Sequence, residues 1–263
     1  KGRTPSPDIL CNQYIKFGTF LEETAGRVDK VASGHYARIE KRDGIYYLRQ
    51  APDPVKDQTY FLASLSQEQL EKIIFPIGHL RKEEVRELAL KCKLPSCFRK
   101  DSQGICFLGK IRYNDFVKFH LGEKPGAVIE KETGDVKGRH KGVWFYTIGQ
   151  RQGLGLSGGP WYVVDKDIKE NTVFISHNNY MAGRKRCAFN ISDIHWISGK
   201  PPAVNDFYFK LRHGPHRSRG KLANMHAVSS RVILEQGDQG IAPGQSCIFY
   251  QGDYCLGRGI ISS

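Results

Sequence analysis

The first hundred residues alternate between apolar positions at helical spacing and short continuous apolar runs. Four apolar side chains recur with the period of a helix, at Leu10, Tyr14, Phe17 and Leu21. They predict a helix that ends at Gly26, and residues 28–33 then predict a short strand. Residues 36–40 and 45–49 flank an Arg-Asp-Gly turn and predict a β-hairpin. This alternation is typical of an α/β domain, in which we expect a parallel sheet.

Three further helices are expected before residue 122. Ser66 and Gln69 form a capping-box pattern that predicts the start of one. Residues 82–94 predict a second, because four apolar side chains share one face, at Val85, Leu88, Ala89 and Cys92. We therefore expect Cys92 to pack in a core. Residues 113–121 carry a similar apolar spacing and predict the third helix.

Beyond residue 125, Gly and Pro separate short β-rich runs. The predicted strands cover residues 126–129, 143–148, 161–165, 172–176, 189–197, 207–212, 227–235, 246–250 and 254–261. The last five form a terminal segment that is typical of a small barrel or sandwich. Cys187, Cys247 and Cys255 lie in strand-like runs, where we expect them to be small core residues.

The charge of the chain adds an expected partner to this picture. Its 263 residues carry 40 Lys and Arg against 27 Asp and Glu, a formal net charge of +13, which favours binding to polyanions. Basic residues concentrate in two windows, residues 136–153 and 181–222, and the first also holds Trp144, Phe145 and Tyr146. Basic and aromatic side chains together can hold phosphates and stack on bases. We therefore expect a nucleic acid partner, with a solvated basic face as the alternative.

The same sequence argues against several other classes of protein and site. No apolar run approaches the roughly 20 residues that a membrane helix needs, and residues 1–8 hold no signal-peptide core, so we expect neither a membrane protein nor a secreted one. Seven cysteines without a Cys-x-x-Cys or paired Cys/His spacing predict no metal site. Ser157-Gly158-Gly159 has the form of a phosphate loop, but the strand predicted after it leaves no helix N-terminus to hold phosphate.

Cys11 and Cys106 are the two cysteines that packing periodicity leaves unexplained. Cys11 follows a Pro-rich segment with Asp8 at or near the helix N-cap, and it lies in the first turn, where the helix dipole favours a thiolate. Gly104 and Gly109 bracket Cys106 and predict a loop, which suits a thiol that is loaded in one place and used in another. For both cysteines, a buried structural residue is the alternative.

Taken together, these segments resemble the tRNA-specific 2-thiouridylases, which exchange oxygen for sulfur at C2 of the wobble uridine. The matching blocks are Pro7-Asp8-x-x-Cys11, residues 32–36, Lys56-Asp57-Gln58, Gly104-Ile105-Cys106-Phe107, and residues 146–155, 159–164, 243–246 and 255–257. The resemblance implies an α/β fold that is part of an ATP-pyrophosphatase-type domain, over residues 1–110. A small central tRNA-binding domain over residues 111–182 and an all-β barrel over residues 183–263 would follow.

The resemblance also implies a role for each residue of the motifs. Cys11 would be the first catalytic cysteine, Cys106 would carry a persulfide, and Asp8 would act as acid or base beside the target uridine. Ser6 and Pro7 would line the same pocket, and Gly34 would contact ATP. The remaining contacts to tRNA would come from His35, Lys56, Asp57, Gln58, Arg212, His213 and Gln245.

The chemistry of the family implies cofactors and partners. ATP, with Mg²⁺, would activate the C2 oxygen, and a persulfide on Cys106 would supply the sulfur. Cys11 would then resolve the sulfur–sulfur bond, which leaves a Cys11–Cys106 disulfide. The partners would be tRNA and a sulfur-donor protein, either a persulfide relay or a cysteine desulfurase. We expect the protein to act in the cytoplasm if it is bacterial, or in the mitochondrion or plastid if it is eukaryotic.

Two departures from the family pattern leave alternatives open. Ser6 stands where the family usually has Asn. The Ser-Gly-Gly-Val-Asp-Ser phosphate loop of the family precedes the Cys11 motif, and the sequence begins just before that motif, so we expect this polypeptide alone to thiolate poorly or not at all. One alternative is a catalytically incomplete tRNA-binding fragment without its ATP site. The other is a thiol oxidoreductase that uses Cys11 and Cys106 as a redox pair.

Overall fold

The computed structural model of the protein describes residues 6–98, 113–177, 186–225, 228–238 and 240–262. They form an α/β region, a small central β domain and a closed β-barrel, in this order along the chain. The fold class predicted from the sequence is therefore confirmed. Within these ranges, none of the helices combines the length and the apolar composition that a membrane span requires.

The α/β region is mainly helical and contains one pair of parallel strands. Its helices are α1 (Pro7–Leu10), a π-helix (Cys11–Thr19), α2 (Phe20–Thr24), α3 (Thr59–Leu62), α4 (Gln67–Glu71) and α5 (Lys82–Lys91). The first three follow one another without a break and form the long helix that the sequence predicts, and the predicted capping box opens α4. β1 (Val31–Ala32) pairs in parallel with β4 (Ile73–Ile74), so the expected parallel sheet is present as two short strands.

The hairpin predicted in the α/β region belongs to the sheet of the barrel. It consists of β2 (Ala37–Arg42) and β3 (Ile45–Gln50), and Asp43 and Gly44 in its turn have positive φ values of 50° and 77°. Asp and Gly both tolerate this left-handed conformation, which explains the Asp-Gly pair. β3 pairs antiparallel with the last strand of the barrel, so backbone hydrogen bonds join the two regions.

The described part of the central domain contains a four-stranded sheet, one α-helix and one 3-10 helix. Its elements are α6 (Tyr113–Leu121), β5 (Gly126–Glu130), β6 (Val136–His140), a 3-10 helix (Val143–Phe145), β7 (Trp161–Asp167) and β8 (Thr172–His177). The strand order is β6-β5-β8-β7. The strand predicted over residues 143–148 is wrong, because this apolar run begins with the 3-10 turn and fills the core with Val143 and Tyr146. The sequence also misses β6, whose residues are mostly polar and exposed.

The C-terminal barrel closes from six antiparallel strands. They are β9 (Arg186–Trp196), β10 (Phe207–Lys210), β11 (Ser218–Leu222), β12 (Ser230–Asp238), β13 (Ser246–Gln251) and β14 (Tyr254–Ser262). The order is β13-β10-β11-β12-β9-β14, and β14 pairs back to β13. The sequence misses β11 because Ser218 and Gly220 take two of its three buried positions. Gly220 is required there, since an added Cβ would lie 2.3 Å from the carbonyl oxygen of Ile233.

The α/β region and the barrel share one hydrophobic core. Leu48, Leu62 and Leu70 from the first region cluster with Ile248 and Tyr250 from the barrel. Two further cores fill the inside of the barrel and the central domain. The boundary between the two larger regions is therefore itself a packed interior.

Two of the expectations for cysteines are wrong. Cys92 is exposed, because α5 buries none of its side chains against the described residues. Cys187 is also exposed, at the start of β9. Cys247 and Cys255 are buried, as predicted.

Candidate functional site

A cleft of about 630 Å³ lies where the α/β region meets the barrel. Six residues that the sequence predicts for the site line it together, and they are Asp8, Gly34, His35, Lys56, Gln58 and His213. The cleft also contains three polar residues that the sequence reasoning missed, Asn12, Lys16 and Lys82. A helical signal was available for two of them, because Asn12 and Lys16 follow Asp8 at four-residue intervals.

The first wall of the cleft is the start of the long helix. Ser6 is the N-cap of α1 and hydrogen-bonds Tyr60, and Pro7 occupies the first turn, where a missing N–H costs nothing. Asp8 is half-buried. Burial raises the pKa of its carboxyl, and the nearby charges of Lys16 and His213 oppose that rise. The site therefore holds a carboxyl group that accepts a proton more readily than an exposed aspartate does.

Cys11 begins the π-helix, one turn after Asp8, and is 6% exposed. A π-helical turn inside a longer helix is rare and is frequent at functional sites. Its thiol forms no disulfide with another described residue. Cys106 lies outside the described residues, so the pairing of these two cysteines stays a prediction.

The second wall follows β1. Gly34 comes two residues after this strand and opens onto the cleft. His35 is buried between the rings of Phe17 and Phe75, with ring centroids at 5.7 Å from each, and its Nδ1 lies 2.7 Å from the Ser33 hydroxyl. Burial, together with the charge of Lys16, lowers the pKa of His35 to about 4. Its imidazole is therefore neutral at pH 7 and can offer an uncharged hydrogen bond.

Residues 56–58 form the third wall of the cleft, but only two of their three side chains line it. Lys56 and Gln58 line the cleft, and Gln58 is fixed there because its side-chain oxygen accepts from the Tyr36 N–H at 2.9 Å. The side chain of Asp57 is 1% exposed and lies outside the cleft, where it contacts Lys210 of the barrel at 3.1 Å. The structure thus brings two of these three predicted residues to the cleft and buries the third.

The three predicted site residues of the barrel also lie in different places. His213 reaches the cleft, where its ring stacks on Phe61 at 4.7 Å between centroids with 22° between the planes. Arg212 lies in a separate basic hollow of the barrel, 3.9 Å from Asp238. Gln245 is half-buried in the turn before β13, outside the cleft.

The charge and chemistry of the cleft suit a nucleotide. Of the residues that the structure describes in its lining, Asp8 is the one acid, against the three lysines Lys16, Lys56 and Lys82. Aromatic rings from Tyr36 and Phe61 face the same space and can stack on a base. Within the described ranges, no cluster of three or more His, Cys, Asp or Glu side chains is placed to hold a metal ion.

Comparison with known proteins covers all three regions. Residues 1–110 match the tRNA methyl transferase HUP domain, residues 114–177 match the tRNA methyl transferase PRC-barrel domain, and residues 186–261 match the aminomethyltransferase beta-barrel domain. These matches agree with the α/β region, the central domain and the barrel of the structure.

Several bacterial relatives align along nearly the whole chain. The tRNA-specific 2-thiouridylase MnmA 1 of Bacteroides thetaiotaomicron is 49% identical over 268 residues, which cover 100% of this chain and 76% of the relative. The tRNA-specific 2-thiouridylase MnmA of Parabacteroides distasonis is 48% identical over 99% of this chain and 74% of its own length. That of Porphyromonas gingivalis is 47% identical over 100% of this chain and 75% of its own length. With this identity over this coverage, the chain belongs to the tRNA-specific 2-thiouridylase family.

Proposed function

We propose that the protein transfers sulfur to C2 of the wobble uridine of tRNA and holds that uridine in the cleft. The observation that carries this proposal is the convergence of Asp8, His35 and His213, from three distant segments, in one cleft with three lysines. Cys11 lies one helical turn from Asp8. The carboxyl of Asp8 and the nearby thiol of Cys11 can therefore act on the base, while the positive charge of the lysines can bind the flanking phosphates.

ATP, with Mg²⁺, is the co-substrate that this reaction requires, because the C2 oxygen of uridine is amide-like and leaves poorly. Gly34 follows β1 at the carboxyl end of the parallel strand pair, and ligands of α/β sheets bind at this edge. The lysines of the cleft suit a polyphosphate. We expect Gly34, Lys16 and Lys82 to hold ATP beside the uridine, where it supplies the leaving group for the C2 oxygen.

The two cysteines divide the sulfur transfer between them. The terminal sulfur of a persulfide on Cys106 attacks C2, and the activated C2–O bond breaks, so that the oxygen leaves as part of AMP. The Cys11 thiolate then attacks Sγ of Cys106, which releases the 2-thiouridine anion and leaves a Cys11–Cys106 disulfide. A dithiol reductant restores both thiols, and a sulfur-donor protein, a persulfide relay or a cysteine desulfurase, reloads Cys106.

Asp8 and His35 are suited to different tasks in this reaction. The raised pKa of Asp8 lets its carboxyl exchange a proton with the base closer to neutral pH. His35 is neutral, so it can hydrogen-bond tRNA without adding charge. Ser6 and Pro7 hold Asp8 at the helix start, and the bond from Ser6 to Tyr60 fixes that start to α3.

Thiolation by a chimera tests this proposal. The chain covers 76% of the Bacteroides thetaiotaomicron relative, and the chimera joins to this chain the part of that relative that the alignment leaves uncovered. It is incubated with ATP, Mg²⁺, a persulfide donor and tRNA, and 2-thiouridine is measured by mass spectrometry. We expect Cys11→Ser and Cys106→Ser each to lower thiolation by at least about a hundredfold, since each removes a bond-forming sulfur. The affinity for tRNA should stay within about twofold.

Cys92→Ser is the matched control, because Cys92 is an exposed cysteine of the same region and lies outside the cleft. It should thiolate at the rate of the parent chimera. Thiouridine formed by Cys106→Ser would contradict the proposed sulfur route. A chimera that binds tRNA and makes no thiouridine would favour a tRNA-binding protein without catalysis, and one that oxidises dithiols without binding tRNA would favour a thiol oxidoreductase.

A further inference from the structure

Among the described residues of the barrel, His213 is the one that lines the cleft. It follows the end of β10 by three residues, beyond Leu211 and Arg212. The Nε2–H of His213 donates to the main-chain oxygen of Asp57 at 3.3 Å, while the imidazole stacks on Phe61. The barrel therefore reaches the cleft through a ring that is held by two residues of the α/β region.

Asp57 is also the centre of a buried polar network. Its Oδ2 accepts from the Gln50 amide at 2.6 Å and from the Lys210 ammonium at 3.1 Å. Its Oδ1 accepts from the Thr59 hydroxyl at 2.9 Å and from the Thr59 main-chain N–H at 3.3 Å. The side chains of Asp57 and Lys210 are 1% and 2% exposed. The carboxylate is fully engaged inside the protein and has no exposed acceptor for RNA.

The barrel consequently holds Asp57 at two points. Lys210, the last residue of β10, contacts the carboxylate, and His213, just beyond β10, contacts the main chain of the same residue. The neighbours of Asp57 on both sides, Lys56 and Gln58, line the cleft. A displacement of Asp57 relative to β10 would therefore move the third wall of the cleft, residues 56–58, against His213.

We propose that Asp57 and Lys210 are positioning residues of the tRNA site, and that their buried ion pair sets His213 over the cleft against Lys56 and Gln58. This proposal rests on the proposed function. A buried ion pair is a poor device for stability alone, because an apolar pair of the same volume avoids the cost of removing two charges from water. It fixes a unique geometry instead, and the residues that it fixes here are those that line the cleft.

The first test uses the position of the His213 ring in the absence of tRNA. The ring current of Phe61 should shift the Hε1 resonance of His213 upfield in the NMR spectrum of the histidine-labelled protein, and His213→Gln assigns that resonance. In Lys210→Met the resonance should move towards its random-coil position. A resonance that stays in place in the folded variant would overturn the proposal.

Arg258→Met is the matched control for this variant. Arg258 is also a buried cation of the barrel that bonds to the α/β region, through Ser64, and it lies outside the cleft. It should lower the melting temperature and leave the His213 resonance unchanged. Equal movement of the resonance in both variants would show that general destabilisation, rather than positioning, moves the ring.

The double variant Asp57→Asn with Lys210→Met covers the case in which Lys210→Met fails to fold. It removes both charges, so no lone buried charge remains to unfold the protein. The His213 resonance should still move, because the contact that aligns β10 with Asp57 is gone. An unmoved resonance in this variant would again overturn the proposal.

Binding of tRNA is the second readout. Lys210→Met should weaken the affinity for a tRNA with a wobble uridine by about tenfold, and Arg258→Met by less than about twofold. An equal loss in both variants would overturn the positioning role. If the parent protein binds no tRNA while Lys210→Met still moves the His213 resonance, the proposed function fails and the positioning by the ion pair remains.

Discussion

The barrel and the α/β region bury their apolar residues in different ways. In the barrel, each of the six strands pairs with two other strands of the barrel, because β14 pairs back to β13. In the α/β region, β1 and β4 pair with each other and with no further strand of the described chain. Several large apolar side chains of its helices are exposed, namely Leu10, Tyr14, Ile15, Phe20, Leu88 and Leu90. The barrel therefore completes its own core, whereas the α/β region takes part of its core from the barrel.

The cleft lies at the boundary across which the α/β region completes its core. The cleft is built mostly from the α/β region, and that region is held to the barrel by the β3–β14 pairing, the shared core and the Asp57–Lys210 pair. A change at the boundary should therefore reach the cleft. A change inside the barrel core should affect the barrel first.

The largest effect is expected from Leu48→Ala. Leu48 is fully buried in the shared core, on the strand that pairs with β14. Its truncation should lower the free energy of unfolding by about 3 kcal/mol, the usual range for a buried leucine that leaves a cavity. Hydrogen exchange followed by mass spectrometry should show lost protection in α3, α4 and β14 together.

Two control variants distinguish the shared core from the core of the barrel. Leu222 lies in the core of the barrel alone, so Leu222→Ala should reduce the protection of β11 and β12 before that of α3 and α4. Leu88→Ala lies on the exposed face of α5 and should change stability by less than about 0.5 kcal/mol. Identical exchange patterns for Leu48→Ala and Leu222→Ala would show that the two cores unfold as one.

Protonation of the buried imidazole of His35 is expected to have a smaller effect on stability. Its pKa is about 4 in the folded protein, against about 6.5 in an unfolded chain. The unfolded chain therefore binds more protons between these values, so stability is complete above about pH 6.5 and falls as the pH drops towards 4. Protonation of His35 lowers the free energy of unfolding by about 3 kcal/mol at most, and water that enters the α/β region makes this loss smaller.

His35→Gln should remove this part of the acid dependence. Urea unfolding of both proteins at about pH 7 and about pH 4.5 measures it, and the difference in stability between the two pH values should be smaller in the variant. Asp8 titrates in both proteins and cancels from the comparison. An equal loss in the two proteins would mean that His35 is charged in the folded state.

Much of the fold could be predicted because its patterns are local. The hairpin follows from the Asp43-Gly44 turn between alternating runs, and five barrel strands follow from their apolar runs. The strand β11 carries small residues where the pattern requires large ones, and the apolar run from Val143 forms a 3-10 turn. The sequence predicts that Cys92 and Cys187 are buried, but both are exposed. An apolar pattern shows which face of an element is apolar, and it does not show whether another element covers that face.

The candidate site could be predicted only as far as its motifs reach. Six motif residues meet in one cleft, and the helical spacing of Asn12 and Lys16 extends them. The burial of Asp57 could not be foreseen, because its partner Lys210 lies 153 positions away and no pattern joins the two. Arg212 belongs to the same dipeptide as His213, yet it faces a different hollow, since successive residues beyond β10 point in different directions.

Binding of tRNA shows whether the cleft recognises the wobble uridine. Two tRNA transcripts that differ only at the wobble base, uridine or cytidine, are titrated with the reduced protein across a salt series. In the absence of ATP, when all three lysines of the cleft can contact phosphates of the tRNA, we expect binding that prefers uridine and weakens with salt, with a log–log slope of about −2 or steeper. Binding that is insensitive to salt, equal for the two transcripts, or absent would contradict it.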